Sequence, residues 1–197
     1  MKKIIVYLYS FLIFNILLLS VGLDGGGMQS APIEKKKVKS LEYYLRDEVF
    51  RSNQAGVKSI LALKANPNVS DKEGRSPLLY AAFLGSVGIV ESLLAYDADP
   101  DLQDLRGATA ISVATYRKSN EVVQLLIKYK ADPNLPDRRK NLPILYHNYT
   151  TFKITSMLLK AKANPNVRHK NGKTPLESAK YLKHDRVVDL LLEYGAK

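Results

Sequence analysis

The stretch DKEGRSPLLYAA, residues 71–82, holds a turn and a helix start side by side. Gly74 marks the tip of the turn, where positive φ is easiest for a residue without Cβ. Ser76 before Pro77 is a helix start. The hydroxyl accepts from free N–H groups, and Pro takes the first helical position, where its missing N–H costs nothing. Ala81 and Ala82 are small enough to let a neighbouring helix come close. Reading outward, Gly85 ends this first helix, and VGIVESLLAY (87–96) sets Ile89, Val90, Leu93 and Leu94 on one stripe at helical spacing. DADPDLQDLRG (97–107) then runs through Asp and Pro to a second glycine tip. The unit is helix, turn, helix, extended loop.

The unit recurs. Pro67, Pro100, Pro133 and Pro165 are spaced 33, 33 and 32 residues apart. They lie inside KANPN (64–68), DADPD (97–101), KADPN (130–134) and KANPN (162–166). A second series, Ser76-Pro77, Thr109-Ala110, Leu142-Pro143 and Thr174-Pro175, follows ten residues behind, and Gly74, Gly107 and Gly172 precede it by two. Apolar pairs at Leu93-Leu94, Leu126-Ile127, Leu158-Leu159 and Leu191-Leu192 follow at a constant interval except in the third unit. No unit can bury such a stripe alone, so the units must stack. The expected class is all-α: a solenoid of helix-turn-helix units with extended hairpin loops, about four to five repeats. The boundaries are an N-terminal capping unit at 41–70, repeats at 71–103 and 104–136, a degenerate third repeat at 137–168, and a C-terminal repeat at 169–197.

The motif resembles the ankyrin repeat, whose pattern of D-x-x-G-x-T-P-L-H-x-A-A over 33 residues is matched by DKEGRSPLLYAA, DLRGATAISVAT and, more loosely, HKNGKTPLESAK. The resemblance spans about Leu41 to Lys197. The family's His after the Leu is replaced by Leu79, Ser112, Leu145 and Glu177, which puts its hydrogen-bond ladder in question. The third repeat has lost one residue and its turn Gly, and carries Lys140, His147 and Asn148 where Gly, Ala and Ala are expected. A change of twist or a looser contact is expected there. The capping unit opens directly on LEYYLRDEVF (41–50), whose Arg46, Asp47 and Glu48 suit an end facing water. The last repeat is expected to supply the other end.

Residues 1–22 open with two lysines and an apolar run from Ile4 to Val21. Two readings stand. One is an export signal with small residues at Ser20-Val21-Gly22 for cleavage. The other is an uncleaved anchor, because the run as a helix would rise about 27 Å, near the thickness of the hydrocarbon core. The array would then be exported, or held on a single membrane span that touches the bilayer through residues 4–21 alone. Residues 23–40 read as a flexible linker.

The 197 residues carry a formal charge of +11 and no Cys, which excludes disulfides, thiolate zinc sites and a cysteine nucleophile. His147, His169 and His184 fall in different units, and no HExxH, GxSxG or GxxxxGK[ST] is present. The expectation is a non-enzymatic, monomeric binding protein with no catalytic residue, cofactor or metal.

The resemblance implies binding of a macromolecular partner on the concave face made by the first helices and loop tips. At the position after the two alanines stand Phe50, Phe83, Tyr116, Tyr149 and Tyr181, spaced 33, 33, 33 and 32. Rings there offer contact area at low entropic cost, or they fill gaps between adjacent first helices. Charge is graded as well: residues 71–103 sum to −4, 104–136 to +2, 137–168 to +6 and 169–197 to +2. Arg106, Arg138, Arg139, Lys170 and Lys173 lie at loop tips, suited to a protein with an acidic segment. Nucleic acid or another anionic surface, bound through the basic third and fourth repeats, is the alternative. The scattered lysines and the lack of a zinc, helix-turn-helix or RNP pattern argue against nucleic acid.

Overall fold

A computed structural model of the chain describes residues 40–146 and 152–197. The signal or anchor expected at 1–22, all but the last residue of the linker expected at 23–40, and His147, Asn148 and Tyr149 lie outside the described residues. No helix among those described is long and apolar enough to cross a membrane.

The described residues form helix pairs and no strand. The capping unit supplies α1 (Leu41–Phe50) and α2 (Gln54–Ala62), the first repeat α3 (Pro77–Leu84) and α4 (Val87–Ala95), and the second α5 (Ala110–Tyr116) and α6 (Asn120–Lys128). The third supplies a 3₁₀ turn η1 (Pro143–Leu145) and α7 (Phe152–Lys160), and the fourth α8 (Pro175–Tyr181) and α9 (Asp185–Glu193). The first helices α1, α3, α5 and η1 stack in one layer. The second helices α2, α4, α6, α7 and α9 stack in another. This is the helical repeat solenoid that the sequence predicts.

The helix starts behave as the hydroxyl–Pro pattern requires. Ser76 Oγ accepts from Leu79 N at 3.2 Å, and Gly85 closes α3 with φ 69°. Thr109 with Ser112, and Thr174 with Glu177, form reciprocal capping boxes. Two of the residues that replace the expected His thus bond the helix start instead. Leu142 has no hydroxyl and gives no side-chain cap, and among the described residues that repeat begins with the 3₁₀ turn η1.

Between the layers lies one apolar seam, which includes Leu78, Leu93, Ile111, Leu126, Ile144, Leu158 and Leu191, each fully buried. Each such side chain contributes about 1.5–3 kcal/mol by leaving water. Every unit shares it with its neighbours. Glu48 departs from the expectation of a water-facing end. It is buried and accepts from Asn53 Nδ2 at 2.5 Å. Asn53 in turn caps α2 by accepting from Gly56 N at 3.3 Å, so the carboxylate is drawn into the turn between α1 and α2. Asp47 stays near the surface and pairs with Arg51 at 3.0 Å.

Each position of the repeated KADPN has a separate role. The first residue turns left-handed, with φ of 64° at Lys64, 61° at Asp97, 63° at Lys130 and 65° at Lys162. The second, Ala65, Ala98, Ala131 or Ala163, is buried where no larger side chain is used. The third accepts from the backbone N–H of the fifth, as Asp132 Oδ1 does from Asn134 N at 2.8 Å. Pro lies between them and fixes φ. The fifth reaches into the next unit. Asn68, Asp101, Asn134 and Asn166 accept from the backbone N–H of Asp99, Asp132, Asn164 and Lys197 at 2.8 to 2.9 Å. The motif is a stitch between units.

The hairpin tips are stitched too, but only in part. Leu105 N donates to Glu73 O, and Arg138 N to Arg106 O, both at 2.9 Å. The close approach demands glycine. A Cβ on Gly74 would lie 2.9 Å from Leu105 N, and one on Gly107 would lie 2.8 Å from Arg138 N. Lys140 takes the glycine's left-handed conformation, with φ 61°. Among the described residues no backbone bond joins Arg139 O to Lys170 N. The third and fourth hairpins thus lack the backbone bond that links the earlier ones, while the segment around 147–151, on which the looser third repeat is expected to show, lies outside the described residues.

Candidate protein-interaction surface

Of the rings that recur on the first helices, Phe50, Phe83, Tyr116 and Tyr181 lie in the last turn of α1, α3, α5 and α8. Phe50 is 54% exposed, Phe83 48%, Tyr116 49% and Tyr181 76%. Each also has a fixed contact. The Phe50 ring lies 4.3 Å from that of Tyr80, the Arg117 guanidinium lies 4.7 Å over Phe83, and Tyr116 meets Tyr146 edge-on at 6.1 Å. In these three cases the partner belongs to the next unit. Lys173 Nζ stands 4.2 Å over Tyr181 within the last repeat. One face of each ring rests on a neighbour while the rest faces water, so the rings combine packing with exposure.

The hairpins that flank the rings differ in charge although they share a shape. In each of the first three repeats an Asp opens the loop and its Oδ1 accepts two backbone N–H groups, as Asp104 does from Arg106 and Ala108 at 2.8 Å. In the first repeat this Asp is Asp71, which also accepts from the Tyr80 hydroxyl at 2.7 Å and from Arg75 Nε at 2.9 Å. Burial pushes the Asp71 carboxyl up, but the bonds from Tyr80, from Arg75 and from Glu73 N outweigh it and hold the carboxyl well below the usual carboxylate range. Burial, then the bond to Asp71, pushes the Tyr80 phenol up to about 12. Arg75 is paired twice, with Asp71 at 2.9 Å and Glu73 at 2.7 Å. This tip is internally neutralised.

The tips of the next two repeats are not. The position of Glu73 is occupied by Arg106 and then Arg139, and that of Lys72 by Leu105 and then Arg138. Arg106, Arg138 and Arg139 are exposed and make no ion pair among the described residues. Asp137 is close, yet its carboxylate is occupied by Arg139 N and Asn141 N at 2.8 Å and by Asn141 Nδ2 at 2.9 Å. The Tyr146 hydroxyl lies 3.5 Å from it. Burial, then the Asp137 charge, pushes the Tyr146 phenol up to about 12, so it remains a neutral donor at physiological pH.

These groups surround one open cleft between the second and third hairpins. It is lined by Leu105, Ala108, Tyr116 and Tyr146, by the polar Asp137 and Asn141, and by the exposed Arg106, Arg138 and Arg139. Four residues singled out in the sequence, Tyr116, Arg106, Arg138 and Arg139, therefore converge. Lys173 and Tyr181 share a smaller hollow one unit along, lined also by Leu145 and His169. Phe50 and Phe83 lie further back on the same row, Lys170 is exposed at the last tip outside both hollows, and Tyr149 is outside the described residues. Sequence reasoning missed Tyr146 and Leu105. Tyr80 and Tyr146 stand 66 residues apart, two full periods, with Val113 between them, so a search at doubled period would have found the second ring.

Residues 49–137 match the family model of ankyrin repeats, in three copies. These residues are ankyrin repeats, and such repeats are generally modules of protein–protein interaction. No curated protein matches the chain.

Proposed function

We propose that the chain is a non-enzymatic binding protein that holds a partner protein against the row of first-helix rings and the hairpin tips. The observation that carries this reading is the row itself: Phe50, Phe83 and Tyr116 are each about half exposed while each is braced by the following unit. A braced, partly exposed ring loses little entropy when a partner covers it, which is the character of a binding hot spot. Phe83→Ala and Tyr116→Ala, made separately, provide the test. Capture of partners from the native cells should fall strongly in both variants with Tm nearly unchanged. Unchanged capture, or a fall that merely follows a large loss of Tm, would assign the rings to packing.

The apolar run from Ile4 to Val21 supports a second element of the reading, that the module works outside the cytoplasm of the cell that makes it, either released or tethered. Intact mass and N-terminal sequencing of the native protein separate the two forms. A start near Leu23 means release, and an intact Met1 in the membrane fraction means tethering. An intact Met1 in the soluble cytoplasm would overturn both.

A further inference from the structure

We infer that the cleft between the second and third hairpins is a preformed seat for an acidic segment of the partner in which one apolar side chain is flanked by carboxylates. This rests on the interaction reading above and narrows it to one place and one chemistry. Leu105, Ala108, Tyr116 and Tyr146 supply the apolar and aromatic part of the lining, and Leu105, at the hairpin tip, is 53% exposed. Of the two tyrosine hydroxyls in the lining, that of Tyr146 lies 3.5 Å from Asp137 Oδ2. An apolar side chain of the partner can rest on Leu105, Ala108 and the two rings.

The rim supplies the sign of the partner's charge. Arg106, Arg138 and Arg139 bring three guanidinium groups to one mouth, and none is neutralised by an ion pair among the described residues. The hairpin of the first repeat shows what neutralisation looks like in this scaffold, with Arg75 clasped by Asp71 and Glu73. Asp137 is the one carboxylate in the cleft, and its oxygens are engaged by two backbone N–H groups and the Asn141 amide. Guanidinium groups bind carboxylates in bidentate fashion, so carboxylates on either side of the buried side chain match the rim. The backbone bond from Arg138 N to Arg106 O fixes the two walls relative to each other, which keeps the seat formed before the partner arrives.

Selection of short random peptides on the immobilised full chain tests this, with a parallel selection on the Arg138→Glu, Arg139→Glu double variant. Both substitutions are on exposed tips, and an unchanged Tm certifies the variant. The expected result is a wild-type pool enriched in Leu, Ile or aromatic residues flanked by Asp and Glu. Binding of those peptides should weaken at least about tenfold in the double variant, chiefly through slower association. It should also weaken in Tyr116→Ala, and it should persist in Phe83→Ala. Peptides without acidic excess that bind the double variant equally well would overturn the inference while leaving the broader interaction reading intact. Failure to select any peptide would overturn it also, and the broader reading would then be judged by partner capture with the ring variants. Displacement of a selected peptide by oligothymidylate, with affinity falling steeply as salt rises, would reassign the cleft to nucleic acid.

Discussion

Replacing Asp101 by Asn should stabilise the array at neutral pH. In the stitch between units, Asn68, Asn134 and Asn166 each accept a backbone N–H and also donate from Nδ2 to a carbonyl, those of Asp97, Lys162 and Gly195, at 3.0 to 3.3 Å. Asp101 accepts from Asp132 N at 2.9 Å, but as a carboxylate it has no proton for the carbonyl of Lys130. Burial pushes its carboxyl up, and the charges of Asp132 and Asp99 push the same way against the bond from Asp132 N. An Asn supplies the missing donor, worth about 0.5–1.5 kcal/mol net. It also removes a charge that Asp99 and Asp132 oppose, while the Asp132 N–H bond loses its charge-assisted strength. The balance is a gain of about 1 kcal/mol, which raises Tm by about 2–4 °C for a unit of this size.

The pH dependence gives the prediction its sign. Because the folded pKa of Asp101 lies above the ordinary 3.8, its favourable contribution is fully present below that value and is lost as pH rises through the raised pKa. Wild type and Asp101→Asn should therefore separate at neutral pH and converge on acidification. Thermal unfolding followed by circular dichroism, at a series of pH values, reads both. A variant no more stable than wild type at neutral pH, or a gain that is the same at acid pH, would refute the reasoning.

Three further substitutions probe the hairpins. Lys140→Gly should raise stability by about 1 kcal/mol, since a left-handed residue with a Cβ is replaced by one without, and Tm is the readout. Gly107→Ala should cost more than about 1 kcal/mol and accelerate hydrogen exchange at Arg138 N, because its Cβ would press on that amide. Asp71→Asn should lower Tm at neutral pH and flatten its fall on acidification. The depressed carboxyl of Asp71 gives stability that is present above the ordinary value of 3.8 and lost as pH falls through the folded value.

The period and the helix starts were legible because they are written in local chemistry: hydroxyl before Pro, Gly at the tips, apolar pairs at helical spacing. Gly74 and Gly107 could be read as turn residues from the sequence, while their second duty, admitting the next hairpin, depends on how far apart the tips stack. KADPN was readable as a turn. That its last residue reaches across to the following unit was not, because the bond joins residues about thirty apart, as Asn134 to Asn164. Glu48 was misplaced for a similar reason: polarity alone suggested water, and the Asn53 amide that draws it inward is set by a left-handed turn at Ser52. In the candidate cleft, the arginines and Tyr116 could be named from their spacing. Tyr146 shows only at doubled period, paired with Tyr80, and Leu105 carries no such signal, since it joins the cleft through the stacking of one hairpin on the next.

The central claim is that the row of braced rings and the arginine-rimmed cleft face a partner protein. A photo-crosslinking phenylalanine derivative at Tyr116, which keeps the aromatic ring, with a control at Gln124 on the exposed side of α6, tests it most directly in the native cells. The account predicts a discrete crosslinked protein at Tyr116 that is absent at Gln124 and lost when Arg138 and Arg139 are reversed to Glu. Equal crosslinking from both positions, or none from Tyr116 in cells where the protein is abundant, would contradict it.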